Sequence, residues 1–173
     1  VIPQFSVILG PCAGGAVYSP AITDFIFMVV TISNMYITGP DVIRAVTGEE
    51  ISHGDLGGSI PHSATSGVSH FRFADEVQCL AGLRRLLGYL PLNNQESPPL
   101  LPVSDPIDRA TASIGDLIPD DTRRPFDVRA VIAEAVDRGS FIEVQPEFAQ
   151  NVVVGFAKLA GRTIGLFANQ PNV

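Results

Sequence analysis

The run Gly10-Pro11-Cys12-Ala13-Gly14-Gly15-Ala16 follows directly on the apolar residues 1–9 and restricts how the chain can leave them. Val1, Ile2, Phe5, Val7, Ile8 and Leu9 read as a buried strand, with Pro3 tolerable near its start. Pro11 fixes φ and lacks an N–H, so it stops the strand. Gly14 and Gly15 admit backbone conformations, or the close approach of a ligand, that a Cβ forbids. Ala16, Val17 and Tyr18 read as the first turn of a helix, which directs free N–H groups and the positive end of a helix dipole to the same place. A developing negative oxygen there is stabilised without a titrating side chain. For Gly-Gly in isolation the competing possibility is a tight strand-to-helix turn whose glycines serve packing alone.

Beyond the turn, residues 16–22 read as a short helix, 25–31 and 35–38 as strands, and 41–46 as a helix entered through Gly39-Pro40. Strand, helix and strand in succession imply a layered α/β arrangement. Residues 48–70, rich in Gly, Ser and His, read as loops with short helical turns. Residues 75–90 form the clearest amphipathic pattern: Val77, Leu80, Leu83, Leu87 and Leu90 recur every three or four positions, Arg84 and Arg85 lie in the later turns, and Pro91 closes the helix. Residues 91–127 change character. Pro98-Pro99, Pro102, Pro106, Pro119 and Pro125 alternate with aspartates, but Leu100, Leu101, Val103, Ile114, Leu117 and Ile118 argue for an ordered arm lying on another surface rather than a disordered linker. A helix over 127–137, with Val128, Val131, Ile132, Ala135 and Val136 on one side, is stopped by Gly139. Strands follow at 141–144, 152–159 and 163–168, the last two joined by a tight turn at Ala160-Gly161-Arg162.

Composition narrows the function classes. A hydrophobic share of 46% against 17% charged residues, with mean hydropathy +0.27, suits a well-buried core or a sizeable subunit interface. A net charge of −7 argues against non-specific nucleic-acid binding, although a local basic pocket for a phosphate remains compatible with it. Two cysteines, Cys12 and Cys79, make no disulfide framework and point to a reducing compartment. Cys12 has no sequence-near base and reads as a small buried residue rather than a nucleophile. His53, His62 and His70 lack the spacing of a zinc motif, so no metal is expected; His62 and His70 suit pocket lining or loop hydrogen bonding. Asp24 and Asp41 read as caps or loop anchors. The apolar run 26–32 is too short to span a membrane and is followed by Ser33 and Asn34, so a soluble chain is expected.

The string from Gly10 through Ala21, with Thr23-Asp24-Phe25 and Phe27-Met28-Val29, resembles the carboxyltransferase (beta) subunits of biotin-dependent acyl-CoA carboxylases, the propionyl-CoA carboxylase group above all. Ile37-Thr38-Gly39-Pro40-Asp41-Val42, Val46-Thr47-Gly48-Glu49-Glu50, Leu56-Gly57-Gly58, Ser66-Gly67-Val68-Ser69-His70, Tyr89-Leu90-Pro91, Asn151 through Ala157, and Asn169-Gln170-Pro171 follow in the family's order. The resemblance therefore covers essentially the whole chain. One departure is Val30-Thr31-Ile32-Ser33-Asn34, where relatives commonly carry a charged, polar stretch, which puts the local turn in doubt. Asn34 through Pro40 is also similar to the alpha subunits of biotin-dependent decarboxylases, which run the transfer in reverse.

The resemblance implies a crotonase-like layered α/β fold in two related halves. Residues 1–90 are then the C-terminal part of the first half, 91–127 the connecting arm, and 128–173 the helix and hairpin that open the second. It implies truncation, since the family's subunits are much longer, and a piece inactive alone. The implied chemistry moves a carboxyl group from carboxybiotin, on a partner carrier domain, to the α carbon of a short acyl-CoA, with propionyl-CoA preferred and acetyl-CoA the alternative. The acyl carbon must pass through an enolate, so backbone amides at Gly14 and Gly15 are the expected oxyanion donors. Ala13, Ala16, Tyr18, Thr38 and Gly39 are expected to line the acyl or pantetheine channel, with packing and capping as the alternative. Implied partners are a biotin carboxylase and biotin carrier subunit and a homo-oligomer, hexameric in the full-length protein, located in the cytoplasm or the mitochondrial matrix of a eukaryote. The other possibility is a non-catalytic assembly module whose arm and hairpin dock neighbouring subunits.

Overall fold

The structure is a computed structural model that describes residues 1–121 and 123–173. The chain divides into two compact units, Ile2–Arg85 and Leu86–Val173 together with Val1.

In the first unit, β1 (Phe5–Ile8), β3 (Phe25–Val29) and β5 (Phe71–Phe73) form a parallel sheet in the order β1-β3-β5. β2 (Pro11–Ala13) and β4 (Asn34–Tyr36) form a second parallel pair. Between β2 and β3 lie a 3-10 turn, Gly14–Val17, and α1 (Tyr18–Ala21); after β4 come α2 (Pro40–Thr47), α3 (His53–Gly57) and α4 (Ser59–Ala64), and α5 (Glu76–Leu87) follows β5. β3 is buried on both faces, as a central parallel strand must be. Ile26 and Met28 pack with Ile8, Val17 and Met35 on one side. On the other, Phe27 stacks on Phe71 at 4.8 Å and lies nearly parallel to Phe73, and Phe5 stacks on Phe25.

The β3–β4 turn, put in doubt by the sequence, is held by a single side chain. Thr31 takes φ +72°, and the buried Ser33 hydroxyl accepts from the Val29 N–H at 2.6 Å while donating to the Ile8 carbonyl. One hydroxyl thus ties the turn to both neighbouring strands.

α5 corrects the expected helix face. Asp75 caps it, its carboxylate accepting from the Gln78 N–H at 2.8 Å. The buried positions are Cys79 and Leu86, with Leu83 half-buried, whereas Val77, Leu80 and Leu87 stay exposed. The cause is Gly82: a Cβ there would lie 2.3 Å from Phe73 Cζ, so the Phe73 ring sits against the helix backbone and selects the face centred on Gly82. The helix also ends at Leu87, before Pro91.

In the second unit α6 (Ile114–Leu117) and α7 (Val128–Ala135) precede an antiparallel sheet of β6 (Ile142–Val144), β7 (Val152–Leu159) and β8 (Arg162–Asn169). α7 starts at Asp127, which accepts from the Arg129 N–H, and packs Ile132 and Val136 on Val153 and Ala157. The turn between β7 and β8 places Ala160 at φ +49° and Gly161 at φ +76°, the double left-handed geometry of a two-residue hairpin loop. Asp137, buried, accepts from both turn amides, Ala160 at 2.9 Å and Gly161 at 2.8 Å. Lys158, also buried, donates to Gly88 O and Thr163 Oγ1 and lies 4.3 Å from the centre of the Tyr89 ring. Burial pushes its ammonium pKa down, and the Asp137 carboxylate opposes that.

The segment between α5 and α7 is tied by polar groups. Asp105 accepts from Arg109 Nε and the Arg138 N–H, Arg109 donates to Val136 O at 2.8 Å, and the Leu101 N–H reaches Gly161 O. Leu100, Leu101, Val103 and Ile118 keep much of their surface exposed.

Candidate functional site

β2 and β4 run parallel with Ala13 opposite Tyr36. The ladder continues one step, as the Gly14 N–H donates to Ile37 O at 3.1 Å. Both chains then leave their strands at the same, C-terminal, edge: one as Gly14-Gly15-Ala16, the other as Ile37-Thr38-Gly39. Crevices outside the carboxyl ends of parallel strands are the usual ligand sites of open α/β sheets. The expected helix begins two residues earlier than residue 16, as the 3-10 turn Gly14–Val17.

The two glycines differ. Gly14 has φ +62°, a conformation that costs a residue with Cβ about 1–2 kcal/mol, and its amide is consumed by Ile37. Gly15 is exposed, no atom lies within 4 Å of the place its Cβ would occupy, and its N–H meets no acceptor among the described residues. Of the two glycine amides, that of Gly14 is thus committed to the β4 end and that of Gly15 faces open space. Ala13, Ala16 and Tyr18 are exposed beside it. Thr38 is exposed, and Gly39 precedes α2, its carbonyl accepting from Val42 and Ile43.

The remaining polar residues form the support. Cys12 is half-buried, its thiol 3.5 Å from Ala16 O. Cys79 is fully buried, and burial, with Glu76 nearby, raises its thiol pKa, which keeps it inert. Asp24 anchors a loop by accepting from the Gln4 N–H at 2.8 Å. His70 Nδ1 accepts from the Ile26 N–H at 3.1 Å, and burial pushes its pKa below the ordinary range. His62 Nε2 donates to Met35 O at 2.7 Å, with Ser66 Oγ at Nδ1. Tyr36 OH lies 2.7 Å from His53 Nδ1. The β2–β4 pairing and the Tyr36–His53 contact have no sequence signal, because each joins residues 17 or more positions apart. Among the described residues no group of three His, Cys, Asp or Glu could hold a metal, and no helix is long and apolar enough to cross a membrane.

Residues 1–173 match the family model of the carboxyl transferase domain. The chain is 53% identical over its full length to the methylmalonyl-CoA decarboxylase subunit alpha of Veillonella parvula, covering 34% of that protein. It is 47% identical, again over its full length, to the mitochondrial propionyl-CoA carboxylase beta chain of Sus scrofa, covering 32%. A solved structure of transcarboxylase 12S, described as a hexamer assembly with methylmalonyl-coenzyme A bound, superimposes with TM-score 0.95 at 44% identity, over all of this chain and 33% of that one. The chain thus spans about a third of the length of the relatives it matches, and its α/β fold is crotonase-like. By its whole-length match and its fold, this chain belongs to the carboxyl transferase domain family.

Proposed function

We propose that this chain is part of a biotin-dependent carboxyltransferase that places a carboxyl group on the α carbon of a short acyl-CoA, propionyl-CoA for preference, and that Gly15 donates to the thioester oxygen. The observation that carries this is the exposed, unpaired Gly15 N–H, set by a neighbour whose own amide is committed to Ile37. Proton loss next to a thioester puts negative charge on its oxygen, and a fixed donor aimed there lowers the barrier without reorganisation. The missing Cβ leaves room for that oxygen. Carboxybiotin, held on a partner carrier, supplies the carboxyl group. Ala13, Ala16, Tyr18, Thr38 and Gly39 flank the acyl-CoA.

Within this proposal residues 1–90 close the first crotonase-like half, 91–127 form the connecting arm, and 128–173 open the second. The partners are a biotin carboxylase, a biotin carrier and further copies of the full-length subunit, in support of which the transcarboxylase 12S neighbour is a hexamer. The compartment is the cytoplasm, or the mitochondrial matrix in a eukaryote. The test is carboxyl transfer by the full-length subunit from a carboxylated biotin carrier to propionyl-, acetyl- and methylcrotonyl-CoA; transfer to none of them refutes the proposal. The 53% identity to a decarboxylase subunit alpha favours a second reading, in which transfer runs from a carboxylated acyl-CoA to biotin. Assaying methylmalonyl-CoA as donor with the same preparation separates the two directions.

A further inference from the structure

β4 has two edges. One pairs with β2 and, through Ile37 O, holds the amide of Gly14. The other is covered by α3 and α4: Asn34 bridges to Gly58, and His62 donates to Met35 O. Gly57 lies so close that a Cβ there would fall 2.1 Å from Met35 O and 2.8 Å from Tyr36 Cδ1, while a Cβ on Gly39 would touch the far side of the same ring at 3.6 Å. The Tyr36 ring is therefore held between α3 and the residue that follows Thr38. Its hydroxyl lies 2.7 Å from His53 Nδ1, the first residue of α3, which Ser52 caps by accepting from the Asp55 N–H at 3.1 Å.

His53 is exposed and Tyr36 half-buried, so water replaces either partner when the bond is lost, and the bond adds little to stability. Its effect is on orientation. Fixing the ring fixes the strand end from Tyr36 to Gly39, and this segment carries the carbonyl that docks Gly14 and so directs the Gly15 N–H. We infer that Tyr36 and His53 are a pair of positioning residues that hold the Gly14-Gly15 turn in its productive geometry from behind β4, touching no substrate themselves. With the imidazole proton on Nε2, the phenol donates to Nδ1.

This inference rests on the proposed role of Gly15, and the two fail separately. The experiment uses the full-length subunit with its biotin carrier, comparing Tyr36→Phe, His53→Ala, the double variant and His53→Asn, which keeps a short acceptor. Expected are a fall in kcat of about three- to tenfold for each of the first two, a KM for acyl-CoA within about twofold of the wild type, and a double variant no worse than the more impaired single one. The melting temperature stays within about 2 °C of the wild type in all of them, and His53→Asn regains rate. Unchanged kcat in Tyr36→Phe, losses that multiply in the double variant, losses that track a lowered melting temperature, or no rescue by Asn each overturn the inference. If Gly15→Val abolishes transfer while Tyr36→Phe leaves it intact, only the positioning role falls. An unchanged rate in Gly15→Val removes the parent proposal as well.

Discussion

Replacing each of the two turn glycines separates chemistry from folding. At position 15 the Cβ meets open space and the backbone φ is not left-handed, so Gly15→Val costs the fold no more than about 0.5 kcal/mol, the ordinary range for an exposed site. Its methyl groups stand beside the Gly15 amide, the donor of the proposed function. An oxyanion must come within about 2.7–3.1 Å of its donor, and loss of one such donor slows the chemical step by roughly 10²–10³. At position 14 the opposite holds. Gly14→Ala keeps φ +62° at a cost of about 1–2 kcal/mol, which lowers the melting temperature, while its amide is committed to Ile37 O. Initial rates of carboxyl transfer in the full-length subunit, with thermal melts of the same variants, give both readings. The expected order of kcat is wild type, Gly15→Ala, Gly15→Val, with unchanged melts. A Gly15→Val protein that keeps more than about a third of its kcat, or that melts as low as Gly14→Ala, refutes the assignment of the donor.

Three further outcomes test the supporting structure. Thr31 is β-branched at φ +72°, so Thr31→Gly should raise stability in urea by about 1 kcal/mol; a loss would mean the threonine side chain contributes a contact of its own. Asp137→Asn places an amide NH₂ against one of the two turn N–H groups it now accepts from, and should cost about 2–3 kcal/mol, read in the same titration; a change below about 0.5 kcal/mol refutes the role given to the carboxylate. His70 is held neutral by burial, below its ordinary 6.5. Above that pH the ring is neutral in both states. As pH falls from 6.5 toward the lower native value, the unfolded chain binds a proton that the native one excludes, so stability declines and then levels off. His70→Asn should remove this part of the pH profile of the melting temperature, and an unchanged profile would assign the slope to other groups.

What the sequence discloses depends on how local the determinant is. The β7–β8 hairpin was legible within a residue because two period-2 runs flank a turn whose glycine takes φ +76°. The apolar spacing also disclosed α7, though the helix runs Val128–Ala135 with Asp127 as its cap, and so ends before Gly139. The face of α5 was not. Counting Val77, Leu80 and Leu87 as the core overlooks Cys79 and Gly82, and Gly82 matters because of Phe73, nine positions away in another element. The β2–β4 pairing was equally hidden, since a three-residue strand carries no periodicity and its partner is more than twenty positions on. Yet that pairing commits the Gly14 amide to Ile37 O, which is why the proposed function turns on Gly15. The turn between β3 and β4 was hidden as well: its Ser33 hydroxyl ties β1 to β3, a contact 25 positions apart.

Glycine conveys two messages that only coordinates separate. At Gly57, Gly58, Gly82 and Gly155 a Cβ would come within 2.1–2.5 Å of another atom of the protein, so the fold itself requires the missing side chain, and substitution there tests packing. At Gly15 nothing in the chain requires it. A residue with an ordinary φ, open surroundings and an exposed amide gains no stability from being glycine; it gives up about 0.5–1 kcal/mol relative to alanine in regular structure. Gly10, Gly115 and Gly165 share the open surroundings and the ordinary φ, so open space alone does not mark a site. What sets Gly15 apart is its place at the carboxyl edge of β2 and β4, beside a neighbour whose amide is committed to Ile37 O; under the proposed function a thioester oxygen drawn against its N–H would occupy the open volume.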